Sequence, residues 1–526
     1  MKITGLLIIL FFIWAKIFSQ KWEKTIGYPT RDEWPNDVIE YYDKGYYIAG
    51  GYHANQTYRV WNFKTNINGT ILWDNTIIDP PELVNFASTR DSLGNIYVCG
   101  RATINGIYCP LLAKFDPCGE TMWCKMFYDN YFTIEGCFVD IIINKNNEII
   151  LLALVQNEDQ VDQIFLFGYS NDGVYLWKNA YASKNDYPLI STAAAFSVNP
   201  ISNEYIISGY CYWPFPDNPS QVFLRPLFIG VDSIFNEKWI MPFAIMDSVF
   251  GEAYKTIPLN DSILMGVGKR RFYNNVTKSL LTFFNINGQE LGFNQIENDQ
   301  IGAEIKSNFI MDIERINDSL FFVSSNFGNN YEQNPFGEFV IDCVGDIFTL
   351  QTRPNTTASA KLIKSIENNY LIATVLSQNS DWDIYLYKVN QYLEMVPFDT
   401  NQYTYDSLCP EPVPSGTINL GDCDLITDIG EIPSPKEYYE SIKKIPVTAY
   451  PNPASSEITL AFQNTDHHTN MQLECYNIYG QKVYIEKIYK GQQQTKLNIN
   501  SWKNGLYIAV IKSNGKVAGK SRFVVN

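Results

Sequence analysis

Asn66-Ile67-Asn68-Gly69-Thr70-Ile71-Leu72-Trp73 is the stretch whose reading decides the fold. A short polar residue opens it, glycine stands three places in, and tryptophan seven places in. The same plan returns at 116–123, 170–177 and 232–239, each copy opening on Asp or Ser and closing on Trp123, Trp177 or Trp239. Gly119 and Gly173 keep the glycine, and Phe235 replaces it in the fourth copy. Stretches 285–292 and 342–349 keep the opening residue and Gly288 or Gly345 but lose the tryptophan. Turn chemistry explains the plan. Asn, Asp or Ser caps a turn with its own side chain, and glycine accepts a positive φ that a Cβ resists.

Working outward, a second polar turn precedes each copy, as at Asp43-Lys44-Gly45, Ser92-Leu93-Gly94-Asn95 and Asn368-Asn369. A short apolar strand follows each of these turns. Seven such units recur at a spacing of roughly 50 to 58 residues, the range of propeller blades. The fourth unit reads in full as strands at 194–198, 204–211, 223–231 and 238–243. A lone four-stranded sheet cannot bury both faces, so the sheets must stack around an axis. Sustained helical periodicity is absent. The expected fold is all-β: a seven-bladed β-propeller over 20–399, a Pro-rich linker over 400–446 and a small β-sandwich over 447–526. Residues 21–26, Lys-Trp-Glu-Lys-Thr-Ile, resemble the outer strand that starts at Leu72. They are expected to pair with 383–389 and so close the ring without open sheet edges.

Composition agrees. Aromatic residues make up 15% of the 526, suited to half-buried pleated surfaces. A formal net charge of −16 disfavours nucleic acid and anionic membrane as partners. Residues 1–19 read as a signal peptide, with Lys2 before an apolar run and cleavage expected between Ser19 and Gln20; the alternative is a retained anchor. Ten cysteines fit an oxidising destination. Cys409 and Cys423 flank a short Pro- and Gly-containing loop and are expected to pair; buried free thiols are the alternative.

A catalytic kit is not visible. Of three histidines, only His53 falls in the propeller, and no nucleophile motif accompanies it. No His/Cys spacing suits zinc. Catalytic, metal and cofactor residues are therefore expected to be none. The repeated tryptophans are expected to dock neighbouring blades. Loops carry function on rigid scaffolds, so the aromatic insert at 213–221, with Trp213 and Phe215, is the candidate ligand loop. The expected role is a secreted or cell-surface binding or adhesion module for a glycan or a surface protein. The rival is a propeller glycosidase or polysaccharide lyase.

Two resemblances add to this reading. The apolar strand, turn and Gly-x-x-x-Trp pattern over about 22–398 resembles propeller repeats of secreted Bacteroidota proteins. The tail carries Tyr450-Pro451-Asn452-Pro453, then Tyr476-Asn477-Ile478-Tyr479-Gly480, then Asn504-Gly505-Leu506-Tyr507. These blocks, at this spacing, resemble the type A C-terminal sorting domain of the type IX secretion system. That resemblance implies the type IX machinery as a partner, passage through the outer membrane, and release or attachment at the outer surface. Carbohydrate-binding sandwich modules are the alternative for this segment.

Overall fold

The computed structural model describes residues 21–54, 57–78, 83–104, 106–127, 136–156, 162–182, 191–199, 204–215, 218–244, 250–272, 276–297, 307–327, 336–353, 355–378, 381–399, 409, 415–426, 433–441, 445–462, 471–489, 491–513 and 515–526. The expected signal peptide, with Ser19 and Gln20, lies outside these residues. The chain forms two compact units, Met1–Ile432 and Pro433–Asn526.

The first unit holds seven blades, each with four antiparallel strands; six are built from consecutive strands, the seventh from three consecutive strands and the closing strand, and two carry an added fifth strand. Their first strands are Asp32–Glu40, Leu83–Arg90, Gly136–Ile143, Ser191–Asn199, Phe250–Pro258, Asn308–Arg315 and Thr356–Lys364. Each first strand contacts the next, and the seventh contacts the first, so the ring is closed. The closing strand is Glu23–Ile26, which pairs with Asp381–Val389 and places Thr25 opposite Tyr385. Trp22 N–H donates to Val396 O at 2.7 Å, and Lys388 N–H donates to Trp22 O at 3.1 Å. The seventh blade is thus built from both ends of the unit, as the sequence predicts.

Turn geometry follows the repeat. Asn66 Oδ1 accepts the N–H groups of Asn68 and Thr70, both at 3.0 Å, and Gly69 sits at φ 75°. A Cβ on Gly119 would lie 2.8 Å from the Trp73 ring, so both backbone and packing demand glycine there. Trp22, Trp73 and Trp239 each send their indole N–H to a turn carbonyl of the following blade: Ile67, Pro117 and Ile286. Phe235 takes φ 63° where other copies have glycine. Its ring fills the gap between Trp177 and Tyr205, 4.7 and 4.8 Å away by centroid, which offsets the backbone cost.

Register shifts between the first and second strands recur in all seven blades. Just after three of these bulges stand Asp37, Asp140 and Asp312. Each accepts a backbone N–H from the next blade's first strand: Ser88 at 2.6 Å, Phe196 at 2.7 Å and Leu362 at 3.1 Å. Lys255 bonds Asp312 at 2.7 Å. Burial would lower the pKa of Lys361, but Asp37, Asp312 and Asp140 together hold it above its ordinary value.

The segment expected as a linker departs from that reading. Ser415–Asn419 adds in parallel to the outer strand of blade 1, and Asp424–Ile426 to that of blade 2. Ile418 and Leu420 enter the core between those blades. Disulfides join Cys118 to Cys409 and Cys124 to Cys423. The expected Cys409–Cys423 pair does not form. Strand addition lays this segment along blades 1 and 2, so both cysteines pair with cysteines of blade 2 and a long-range pairing replaces the local loop.

The second unit opens on a short helix, Pro435–Ser441. Ser434 and Glu437 cap it reciprocally: Ser434 N–H donates to the Glu437 carboxylate at 2.8 Å, and Glu437 N–H to Ser434 Oγ at 3.3 Å. Two sheets follow. One contains Val447–Tyr450, Glu457–Phe462 and Gln494–Asn498; the other contains Lys482–Lys487, Met471–Asn477, Gly505–Ser513 and Lys516–Val525. Leu460, Leu473, Ile511 and Phe523 are among the side chains of the core between them.

Candidate functional site

The three sorting motifs are mostly structural in what they touch. Asn452 Oδ1 accepts Val524 N–H at 2.9 Å and so ties the opening block to the last strand. Asn477 Oδ1 accepts Tyr479 and Gln481 N–H, both at 3.0 Å, and Gly480 takes φ 76° to close that turn. Tyr507 is buried, stacks on Phe523 and donates its hydroxyl to Lys503 O at 2.7 Å. Asn504, Gly505, Tyr476, Pro451 and Pro453 shape the same strand ends. What the tail presents to solvent is Ile478 and Tyr479, the latter 81% exposed, with Tyr450 beside the opening block. Under the outer face of its larger sheet lies Glu474, bonded to Lys482 at 2.7 Å and Lys512 at 3.0 Å and accepting the Tyr476 hydroxyl. Burial alone would raise the pKa of Glu474. Hydrogen bonds from Lys482, Tyr476 and Lys512 outweigh burial and bring it to about 2.

In the propeller, the turns within each blade gather at one end of the ring. The other end carries the connections from second to third strand and from blade to blade. The expected ligand loop at 213–221 lies there, and its described residues, 213–215 and 218–221, belong to strands. Glu204–Phe215 and Asn218–Val231 run 12 and 14 residues and stay paired up to Phe215 and Asn218. Trp213 is half-buried, opposite Phe223, with the Arg225 guanidinium 4.7 Å from its ring. The Phe215 side chain lies outside what is described.

A second cluster at this end was not foreseen. It lies where blade 1 meets blade 7. The connection 27–31 leaves the closing strand and brings Tyr28 and Arg31 to the start of blade 1. Tyr28 N–H donates to Glu33 Oε1 at 3.2 Å, while Glu33 Oε2 has no hydrogen-bond partner although the residue is 0% exposed. From blade 7 come Asp381 and Asp383. A Cβ on Gly27 would stand 1.8 Å from Asp383 Oδ1 and 3.1 Å from Glu33 Oε2, so only glycine lets these carboxyls approach. Burial above all pushes the Glu33 carboxyl up to about 8; the Tyr28 N–H pulls it down, Asp383 and Asp381 push it further up, and Arg31 opposes them least. Burial and Asp381 likewise raise Asp383. Asp32 accepts Trp382 N–H at 3.2 Å and pins the two segments together.

Aromatic rings surround this seam. The Arg31 guanidinium lies 5.1 Å from the Tyr28 ring and 4.6 Å from Tyr52. Tyr28 and Trp61 are 5.5 Å apart. On the same blade Trp34, Tyr58 and His53 form a row, with centroids 5.7 and 4.9 Å apart. Tyr28 and Tyr58 are 48% and 43% exposed. His53 packs on Tyr58 and has no nucleophile beside it among the described residues. Nor do the described residues include a group of three or more His, Cys, Asp or Glu placed to hold a metal ion.

A family model for a secretion-system C-terminal sorting domain matches residues 448–526. No curated protein matches the chain. Among solved structures, the chain is similar to the NanB sialidase of Streptococcus pneumoniae at 10% identity, over 71% of this chain and 70% of that one, with a TM-score of 0.36. It is also similar to a protein of unknown function from Bacteroides caccae at 10% identity, over 56% and 90%, with a TM-score of 0.32. An endo-arabinase from Bacteroides thetaiotaomicron gives 14% identity, 48% and 93% coverage, and a TM-score of 0.30. Scores this low carry no argument; the propeller rests on the strand pairing above. No helix among the described residues is long and apolar enough to cross a membrane. The tail carries the matched family's motifs on a complete two-sheet domain, so the chain bears a type IX secretion sorting domain that directs it to the cell exterior or the outer surface.

Proposed function

We propose that the propeller is an exported binding module and that its partner is a glycan, held where blade 1 meets blade 7. The observation that carries this reading is an exposed aromatic row beside carboxylates. Tyr28 and Tyr58 offer flat apolar faces to sugar rings, and Asp381 and Asp383 offer acceptors to their polar groups. Binding a surface glycan would make the protein an adhesion module after export. The type IX machinery is the partner of the tail during export, and the three motif blocks of the tail are its proposed signal.

The rival hydrolase reading meets a physical obstacle. A general acid must reach the glycosidic oxygen. Glu33 has the raised pKa such an acid needs, but it is 0% exposed and stands behind Asp383. Screening the full chain on a glycan array, with a reducing-sugar release assay on every positive, separates the two. Retention without release supports the module. Release of sugar, or retention of nothing, overturns it.

A further inference from the structure

The seam holds more acid than sugar hydroxyls require. Among the described residues neither Asp381 nor Asp383 has an ion-pair partner, and Arg31 is occupied by the rings of Tyr28 and Tyr52. Two unpaired surface carboxylates alone would mean little. The second observation is Glu33, fully buried, with Oε2 unpartnered and converging with Asp383 Oδ1 on one point above Gly27. Three carboxyls with Arg31 as the one cation named among them are costly to ionise together, and the arrangement relaxes when a further cation arrives. The exposed Tyr28 ring beside the acids suits a saccharide ring carrying that charge.

We propose that Asp381 and Asp383, with Glu33 behind them, bind the ammonium group of an amino sugar; the inference rests on the glycan reading and names its chemical class. Asp381 and Asp383 touch the ligand, and Glu33 positions Asp383 by sharing a proton with it. The charged and titratable groups facing Glu33 are Asp381 and Asp383 from blade 7, with Arg31, Asp32 and Tyr52 from its own side. An arriving ammonium favours the ionised form of Glu33, so binding near pH 7 should release a proton to solvent.

The test uses a glucosamine tetrasaccharide, its N-acetylated counterpart and a lysine-rich peptide as probes against the full chain. Calorimetry in two buffers of different ionisation enthalpy reads affinity and proton release together. Expected is binding of the glucosamine oligomer with release of a fraction of a proton, and weaker or no binding of the acetylated one. Asp383→Asn should weaken binding about tenfold to a hundredfold with unchanged melting. Glu33→Gln should weaken binding less than Asp383→Asn does and abolish proton release. Equal binding of the two oligomers, insensitive to Asp383→Asn, overturns the inference and leaves glycan binding standing. Binding of the peptide alone, or of neither oligomer, overturns the amino-sugar inference, while retention of nothing on the glycan array overturns the glycan reading itself.

Discussion

Removing the strap disulfides should destabilise the propeller without dismantling it. The Cys118–Cys409 bond closes a separation of 291 residues. The chain-entropy relation gives about 6 kcal/mol for such a loop, an upper limit because unfolded chains retain structure. Once it is closed, the Cys124–Cys423 bond closes a smaller ring of about 20 residues, worth about 3 kcal/mol. Ile418 and Leu420 remain buried in the core whatever the redox state of the sulfurs, so the folded strap stays docked and the effect acts on the unfolded chain. Cys124→Ser with Cys423→Ser should therefore lower unfolding free energy by about 3 kcal/mol, and replacing all four cysteines by more. Denaturant unfolding followed by tryptophan fluorescence measures this, and non-reducing peptide mapping identifies the bonds. Unchanged midpoints in the quadruple variant, or a mapped Cys409–Cys423 bond, would refute the reasoning.

Other consequences are equally direct. Trp22→Ala removes a fully buried ring and its bond to Ile67 O, so it should cost about 3 to 5 kcal/mol and loosen the closing strand, read as faster amide exchange at Glu23–Ile26. Glu474 holds a pKa of about 2 against an ordinary 4.5, so its contribution to the tail is present above pH 4.5 and lost as pH falls toward 2. Glu474→Gln should thus cost the tail about 1 kcal/mol at pH 7, solvent screening of the partly exposed lysines reducing the full shift, and flatten its acid limb in thermal melts across pH. Glu33 is the opposite case: its folded pKa of about 8 lies above 4.5, so stability falls as pH rises between those values. Glu33→Gln should recover on the order of 2 kcal/mol at pH 8 and remove that slope; a variant less stable than wild type at pH 8 would contradict the account.

Much of the propeller was legible because turn chemistry is local. Asn66 with Gly69, or Asp116 with Gly119, announces a hairpin within four residues. Even there Leu393 at φ 64° completes a seventh turn without glycine, as Phe235 does in the fourth, and Asn390 caps it by accepting two backbone N–H bonds. Ring closure was legible from the likeness of 21–26 to an outer strand. The disulfides were not, because Cys118 and Cys124 meet the strap through parallel strand pairing across nearly 300 residues, which no local loop argument detects. The seam escaped for the same reason: Glu33 and Asp383 belong to opposite ends of the ring and meet only because the closing strand joins them. A weak signal existed for the bulge latches. Asp37-Val38, Asp140-Ile141 and Asp312-Ile313 each put an acid before a β-branched core residue at the same place in the repeat. The insert at 213–221 reads as a loop because its prolines and aromatics break the strand alternation, yet its described residues extend the paired strands.

The central claim is that the blade 1–blade 7 seam, and not the turn end of the ring, receives the ligand. Amide hydrogen exchange with and without the oligosaccharide retained on the array tests it most directly. The account predicts added protection at 28–34 and 381–383, with no change at the turns 66–70 and 116–120. Protection confined to those turns, or none at the seam under saturating sugar, would contradict it.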